Sequence, residues 1–144
     1  MKKQKPWVSA NRLCWLFVSL LVFFMFGGCS ASKENQQKVR DLEIHVAGEL
    51  EIPEELSQMI GEKKAQPFKL TYTDEKNLFI AIGYGAQPTG GYSISVEELY
   101  LTENSIVIRT ELKGPGKGEN SGTERSFPFI VVQTEFLEHP VVFK

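Results

Sequence analysis

The sequence predicts a mainly β domain: an antiparallel β-sandwich or barrel of six to seven short strands, with one short helix near its beginning. Three observations support this fold class. Apolar residues alternate with polar ones in short segments over most of residues 41–144, as expected of strands with one buried face. Clusters rich in Gly, Pro, Asn and Asp separate these segments. Helical spacing of apolar residues occurs once, after Pro53.

The first two elements are a short strand and the helix. Residues 42–46 alternate apolar and polar side chains, which predicts a strand. Pro53 suits the first position of a helix, and Leu56 and Ile60 then lie on one helical face. Pro67 prevents the helix from continuing, so we expect a single short helix between these two prolines.

Strand patterns dominate after Pro67. Residues 78–82 are apolar on both faces, which is typical of a central strand covered on two sides. The adjacent Glu97 and Glu98 interrupt an alternating pattern, so we expect a β-bulge there. The strands predicted after the helix cover residues 68–73, 78–82, 92–101, 106–112, 127–134 and 141–143.

The first 28 residues have the composition of a targeting segment and not that of a folded domain. Four basic residues precede an apolar run at residues 13–26, and Gly27 and Gly28 come directly before Cys29. The apolar run has 14 residues, whereas a transmembrane helix needs about 20. We therefore expect residues 1–28 to be a cleaved signal peptide.

Residues 26–29 resemble the bacterial lipobox, in which small residues precede a cysteine that receives a diacylglyceryl group, although Phe26 stands where Leu is usual. The resemblance implies lipid attachment at Cys29 and localisation in the cell envelope, anchored on the extracytoplasmic face of a membrane. An ordinary secretory signal and an uncleaved anchor are the alternatives. Residues 29–40 are polar and predict a flexible tether, which leaves residues 41–144 as the globular domain.

Cysteine content, charge and histidine content exclude several classes of protein. Cys14 lies in the signal peptide, so the processed chain cannot form an internal disulfide. Removal of the signal leaves twelve basic and eighteen acidic residues, a net charge of −6, which disfavours nucleic-acid binding. His45 and His139 are the two histidines, and neither belongs to a cluster at metal-ligand spacing. We expect no catalytic activity, no metal and no cofactor.

Two glycine-rich segments interrupt the strand pattern. Loop 1, residues 84–92, joins the most apolar strand to the next one. A tight turn explains its composition, because Pro88 fixes φ and Gly90 and Gly91 can adopt positive φ. Loop 2, residues 114–122, contains too many glycines for regular structure, so we expect a mobile hairpin loop.

A family resemblance gives loop 1 a further meaning. Residues 85–94, GAQPTGGYSI, resemble the signature of the PrcB C-terminal domain family, whose members continue with a strand, a glycine-rich loop and a strand like that beginning at Phe127. The resemblance covers roughly residues 78–143. The family is named after a lipoprotein of a surface protease complex, so the resemblance implies a protein partner outside the membrane, with a protease as the candidate. The residues proposed to contact it are Tyr84, Gln87, Pro88, Thr89, Gly90, Gly91 and Tyr92. Core packing at the strand ends is the alternative role for Tyr84 and Tyr92.

A shorter resemblance suggests a different use of the same loop. Residues 87–92 are similar to the NPTTGY loop of chagasin-type cysteine-protease inhibitors, and residues 114–122 could correspond to the second, glycine-rich loop of those proteins. Three functions therefore stay open: a protein-binding subunit of a protease complex, a protease inhibitor, and a structural component of the envelope without a dedicated ligand.

Overall fold

A computed structural model describes residues 37–118 and 121–144. Within them the chain forms eight strands, one 3-10 helix and one α-helix, one strand more than the upper end of the range expected from the sequence. The elements are β1 (Lys38–Asp41), β2 (His45–Val46), a 3-10 helix (Glu49–Glu51), α1 (Glu54–Lys63), β3 (Pro67–Thr73), β4 (Asn77–Tyr84), β5 (Ser93–Thr102), β6 (Ile106–Lys113), β7 (Phe129–Glu135) and β8 (Val141–Phe143).

The strands form two four-stranded sheets that make a β-sandwich, as the sequence predicts. The first sheet has the order β1-β5-β6-β8 and the second has the order β2-β7-β4-β3. Neighbouring strands are antiparallel except for β8, which pairs parallel to β6. The mainly antiparallel fold class is therefore confirmed.

The main core lies between the two sheets. One face of each central strand supplies aliphatic side chains, because side chains alternate between the faces of a strand. The buried residues of this cluster are Leu42, Leu78, Ile80, Ile82, Leu99, Ile106, Ile108, Ile130 and Val132.

A second apolar layer lies between α1 and the outer face of the second sheet. Leu56 and Ile60, the pair predicted to share one helical face, are buried there against side chains of β3, β4 and β7. Phe79 and Ala81 of β4 belong to this layer, whereas Leu78, Ile80 and Ile82, which alternate with them, belong to the main core. The prediction that this strand is covered on both faces is confirmed.

Details of two predicted strands differ from the expectation. The predicted strand at residues 42–46 is reduced to His45–Val46, and Leu42 enters the core from outside a strand. The domain also begins earlier than residue 41, because Lys38–Asp41 pairs with β5. The last residues of the predicted tether 29–40 are thus part of the first sheet. The β-bulge occurs as predicted, between Val96 and Glu98.

The predicted signal peptide, Cys29 and most of the tether lie in residues 1–36, outside the described residues. Among the described helices, none has the length and apolar composition needed to cross a bilayer. Residues 37–118 and 121–144 belong to one compact unit.

Candidate functional site

Both glycine-rich loops lie at the same end of the sandwich. Loop 1 leads from the end of β4 to the start of β5, and loop 2 lies in the connection from β6 to β7. Ser93 pairs with Lys113 and Gly83 pairs with Phe129, so the strand ends that carry the loops are neighbours in their sheets. The hairpin prediction for loop 2 is wrong, since β6 and β7 belong to different sheets and the connection crosses between them.

Loop 1 is held by hydrogen bonds to the connection that carries loop 2. The backbone N–H of Gln87 donates to the carbonyl of Ser126 at 2.8 Å, and the N–H of Ser126 returns a bond of 3.2 Å. The Ser126 hydroxyl donates to the Thr89 carbonyl at 2.6 Å. The N–H of Gly90 donates to the carbonyl of Ser121 at 3.0 Å. Four hydrogen bonds therefore fix the shape of residues 87–90.

The two glycines of the PTGG segment have different structural roles. Gly91 has φ of +77°, as predicted, and a Cβ there would lie 3.0 Å from Cβ of Pro115. Gly90 is not among the glycines with positive φ, so that part of the turn prediction is wrong. Its Cβ would lie 2.8 Å from the Ser121 carbonyl oxygen, so Gly90 allows close approach of the two chains.

The predicted contact residues differ in exposure. Pro88 and Gly91 are exposed at the tip of loop 1, whereas Gln87, Thr89, Gly90 and Tyr92 are half-buried. A Cβ on Gly114 would lie 3.5 Å from Cε1 of Tyr92, so this ring lies beside the start of loop 2. The accessible tip therefore combines one rigid proline with glycine backbone.

Tyr84 packs against the main core, and it also joins the two sheets, a contact that the sequence of loop 1 does not indicate. Its side chain is half-buried against the main core. Its hydroxyl donates to the carbonyl of Thr110 at 2.9 Å and lies 2.8 Å from Oγ1 of the same residue. Because Tyr84 ends β4 and Thr110 lies in β6, this contact joins the two sheets beneath loop 1.

Exposed aromatic residues next to loop 1 were not among the predicted contacts. Phe127 follows Ser126 directly and Phe129 comes two residues later; each is 37% exposed, and Val46 is 54% exposed. We call Phe127 and Phe129 the aromatic patch. Together with Val46 they line a shallow groove of about 390 Å³. The signal in the sequence was the Phe-Pro-Phe segment, whose two aromatic residues have the same parity and precede the first buried residue of β7.

The described polar residues form local surface contacts. His45 Nε2 lies 3.2 Å from Oε2 of Glu51, and both side chains are about half exposed. The backbone N–H of Gly48, and then His45, lower the pKa of Glu51. His139 Nδ1 contacts the carbonyl of Glu138. No group of three or more His, Cys, Asp or Glu residues able to hold a metal occurs among residues 37–118 and 121–144.

Comparison with known proteins returned no match among curated proteins. Comparison with solved structures likewise returned no match. The residues that carry the geometry above, from β4 through loop 1 to the end of β7, are also those that match a family model. Residues 78–135 match the family described as PrcB C-terminal, which confirms the family resemblance predicted from the loop 1 segment.

Proposed function

We propose that this chain is a non-catalytic protein-binding module, anchored through a lipid on Cys29 and facing its partner with the loop end of the sandwich. The observation that carries the proposal is the fixed, exposed tip of loop 1. Pro88 and Gly91 are exposed, while hydrogen bonds to the Ser126 hydroxyl and the Ser121 carbonyl hold Thr89 and Gly90 between them. A loop that is already ordered loses less conformational entropy when it binds.

The surroundings of loop 1 supply the apolar area that a protein interface needs. Phe127 and Phe129 follow Ser126, which is bonded to both Gln87 and Thr89. Aromatic side chains often contribute a large share of binding energy at interfaces. The proposed contact surface therefore consists of the loop 1 tip and the aromatic patch.

The direction in which the chain enters the domain supports the same surface. Lys38 pairs with Thr102, at the end of β5 that is farthest from Ser93 and loop 1. Ten residues of strand separate these two ends by about 30 Å, at roughly 3.3 Å per residue. The described chain therefore enters the domain at the end opposite the loops.

The PrcB C-terminal match supports a partner that belongs to an extracytoplasmic protease complex. In this proposal the chain is an accessory subunit, which holds or stabilises its partner without performing chemistry. The acidic processed chain, with net charge −6, suits a partner whose contact surface is neutral or basic.

The proposal is tested by pull-down of the tagged full-length chain from detergent-solubilised native envelopes. The test variant carries Pro88→Ala, Thr89→Ala and Tyr92→Ala. The matched control carries Glu75→Ala and Lys76→Ala in the exposed β3–β4 turn, at the other end of the sandwich. We expect the parent and the control to retain the same partner and the loop variant to lose it. Equal retention by all three chains would exclude loop 1 as the contact.

Protease inhibition is the second candidate function. It is favoured by the proximity of the two glycine-rich loops at Gly91 and Pro115. Papain-type protease activity distinguishes the two functions. An inhibitor lowers that activity at stoichiometric concentration, and the triple loop variant does not. An accessory subunit leaves the activity of its partner unchanged or raises it. A structural envelope component does neither and retains no specific partner.

A further inference from the structure

The sandwich has an apolar cleft along the side where β3 and β8 are the outermost strands. Its volume is about 430 Å³, within the roughly 300–1,000 Å³ typical of small-molecule sites. Pro67, Ile82, Ile108 and Phe143 supply apolar walls. The cleft lies beside the main core, since Ile82 and Ile108 belong to both.

The ammonium group of Lys69 stands at this cleft without an acidic partner among the described residues. Lys69 pairs with Ile82 across β3 and β4, so its side chain is on the face of the sheet that carries the main core. Its Nζ lies 5.2 Å from the centroid of the Phe143 ring, and Lys69 forms no ion pair with the described residues. Lys144 also lines the cleft, but its Nζ donates to the Tyr100 hydroxyl at 2.8 Å.

The polar groups at the inner end of the cleft are already satisfied. The Tyr84 hydroxyl donates to the Thr110 carbonyl and is also hydrogen-bonded to the Thr110 hydroxyl, across the two sheets. A ligand therefore meets apolar walls and the cationic side chain of Lys69, which together select an apolar chain that ends in an anion. A neutral chain would leave the lysine without an anion, and a cation would be repelled by it.

We propose that this cleft binds a single-chain amphipathic carboxylate, with the chain between Ile82, Ile108 and Phe143 and the carboxylate beside Lys69. The proposal is independent of the protein partner at the loop end. The competing explanation for Lys69 is protection of an edge strand, because an inward-pointing charge on an edge strand prevents pairing with other chains.

The test is photo-crosslinking of the full-length chain in its native membranes, with a dodecanoate probe that carries a diazirine at the end of its chain. Mass spectrometry maps the labelled residues, and unlabelled dodecanoate and 1-dodecanol serve as competitors. The variants are Lys69→Met and Lys69→Arg, with Lys76→Met as the matched control on an exposed turn. Protease resistance of each variant verifies that it is folded.

We expect saturable labelling of the strands that line the cleft, competed by dodecanoate and not by 1-dodecanol. Lys69→Met is expected to reduce labelling by about tenfold, whereas Lys69→Arg and Lys76→Met retain it, because a charged partner strengthens hydrogen bonds to a carboxylate. Labelling that does not saturate overturns the proposal. Labelling of folded Lys69→Met equal to that of the parent chain overturns it as well. If that variant also self-associates, the role of Lys69 is protection of the edge strand.

Discussion

Gly83 lies in β4 directly beneath the ring of Phe68, with which it is paired across the strands. A Cβ at this position would lie 2.7 Å from Cζ of that ring and closer still to Cε1. Because Phe68 is buried in the layer under α1, the ring cannot move away without disturbing that layer. We expect Gly83→Ala to lower the free energy of unfolding by about 1–3 kcal/mol in urea denaturation.

Gly61→Ala is the matched control, because a Cβ at Gly61 meets nothing within 4 Å. Gly61 lies inside α1, where alanine is favoured over glycine, so this variant should gain about 0.5–1 kcal/mol. If both substitutions change stability equally, contact between Gly83 and Phe68 is not what limits this position.

The hydroxyl of Tyr84 joins the two sheets of the sandwich. It bonds the carbonyl and hydroxyl of Thr110 in the opposite sheet, at 2.9 and 2.8 Å. Tyr84→Phe removes these bonds and keeps the ring, so we expect a loss of about 0.5–1.5 kcal/mol in the free energy of unfolding. Tyr92→Phe should change it by less than about 0.5 kcal/mol, since the Tyr92 hydroxyl bonds none of the described residues. A larger loss for Tyr92→Phe would contradict this assignment of roles.

The turn between β3 and β4 depends on a carboxylate. Asp74 Oδ1 accepts from the backbone N–H groups of Lys76 at 2.8 Å and Asn77 at 2.6 Å, and both Asp74 oxygens accept from the Asn77 side chain. The Asn77 side chain, followed by these two backbone groups, lowers the pKa of Asp74 from its usual 3.8.

The sign of the pH dependence follows from that lowered pKa. The folded state binds the proton less tightly than the unfolded state, so the stabilisation is present above about pH 3.8 and is lost as the pH falls through the folded pKa. In Asp74→Asn the free energy of unfolding should fall less steeply below pH 4 than in the parent chain. Urea unfolding at several pH values measures both slopes, and identical slopes would exclude Asp74 as a contributor.

Periodicity predicted the elements that bury one or two faces. The alternation in β3, the double-sided apolar pattern of β4 and the helical spacing of Leu56 and Ile60 were sufficient. It missed β1, because all four side chains of Lys38–Asp41 are exposed and the segment has the composition of a tether. The alternation of apolar and polar residues does not indicate which strands are adjacent in a sheet, so it could not predict the parallel pairing of β8 with β6.

The contacts of the candidate site also could not be predicted from local sequence patterns. The PTGGY segment marks loop 1 in the sequence, but its contacts with Ser121 and Ser126 join segments more than 30 residues apart. Only the sheet order shows that both connections cross at one end of the sandwich. Phe127 and Phe129 have the apolar side chains expected of a buried strand, yet each is 37% exposed, and Phe127 precedes the start of β7. No local pattern encodes this exposure.

The loop end and the entry point of the chain lie at opposite ends of one compact unit, and the side cleft reaches the loop end at Tyr84. Lys38 pairs with the far end of β5, whereas loop 1 begins at Tyr84 and the cleft opens between β3 and β8. Cys29 lies outside the described residues, so the anchor is tested separately from both proposed binding surfaces.

The anchor itself gives the last prediction. If Cys29 carries acyl chains, each buried methylene contributes about 0.8 kcal/mol of membrane affinity, so removal of the thiol should release the processed chain. The measurement is Triton X-114 phase partition of Cys29→Ala. If another peptidase cleaves this variant, we expect it to move from the detergent phase to the aqueous phase. If none does, we expect the longer precursor to accumulate. Phe26→Leu, which restores the usual lipobox residue, should keep the parent distribution. A Cys29→Ala chain of the mass of the processed parent that stays in the detergent phase would show that the anchor does not depend on this cysteine.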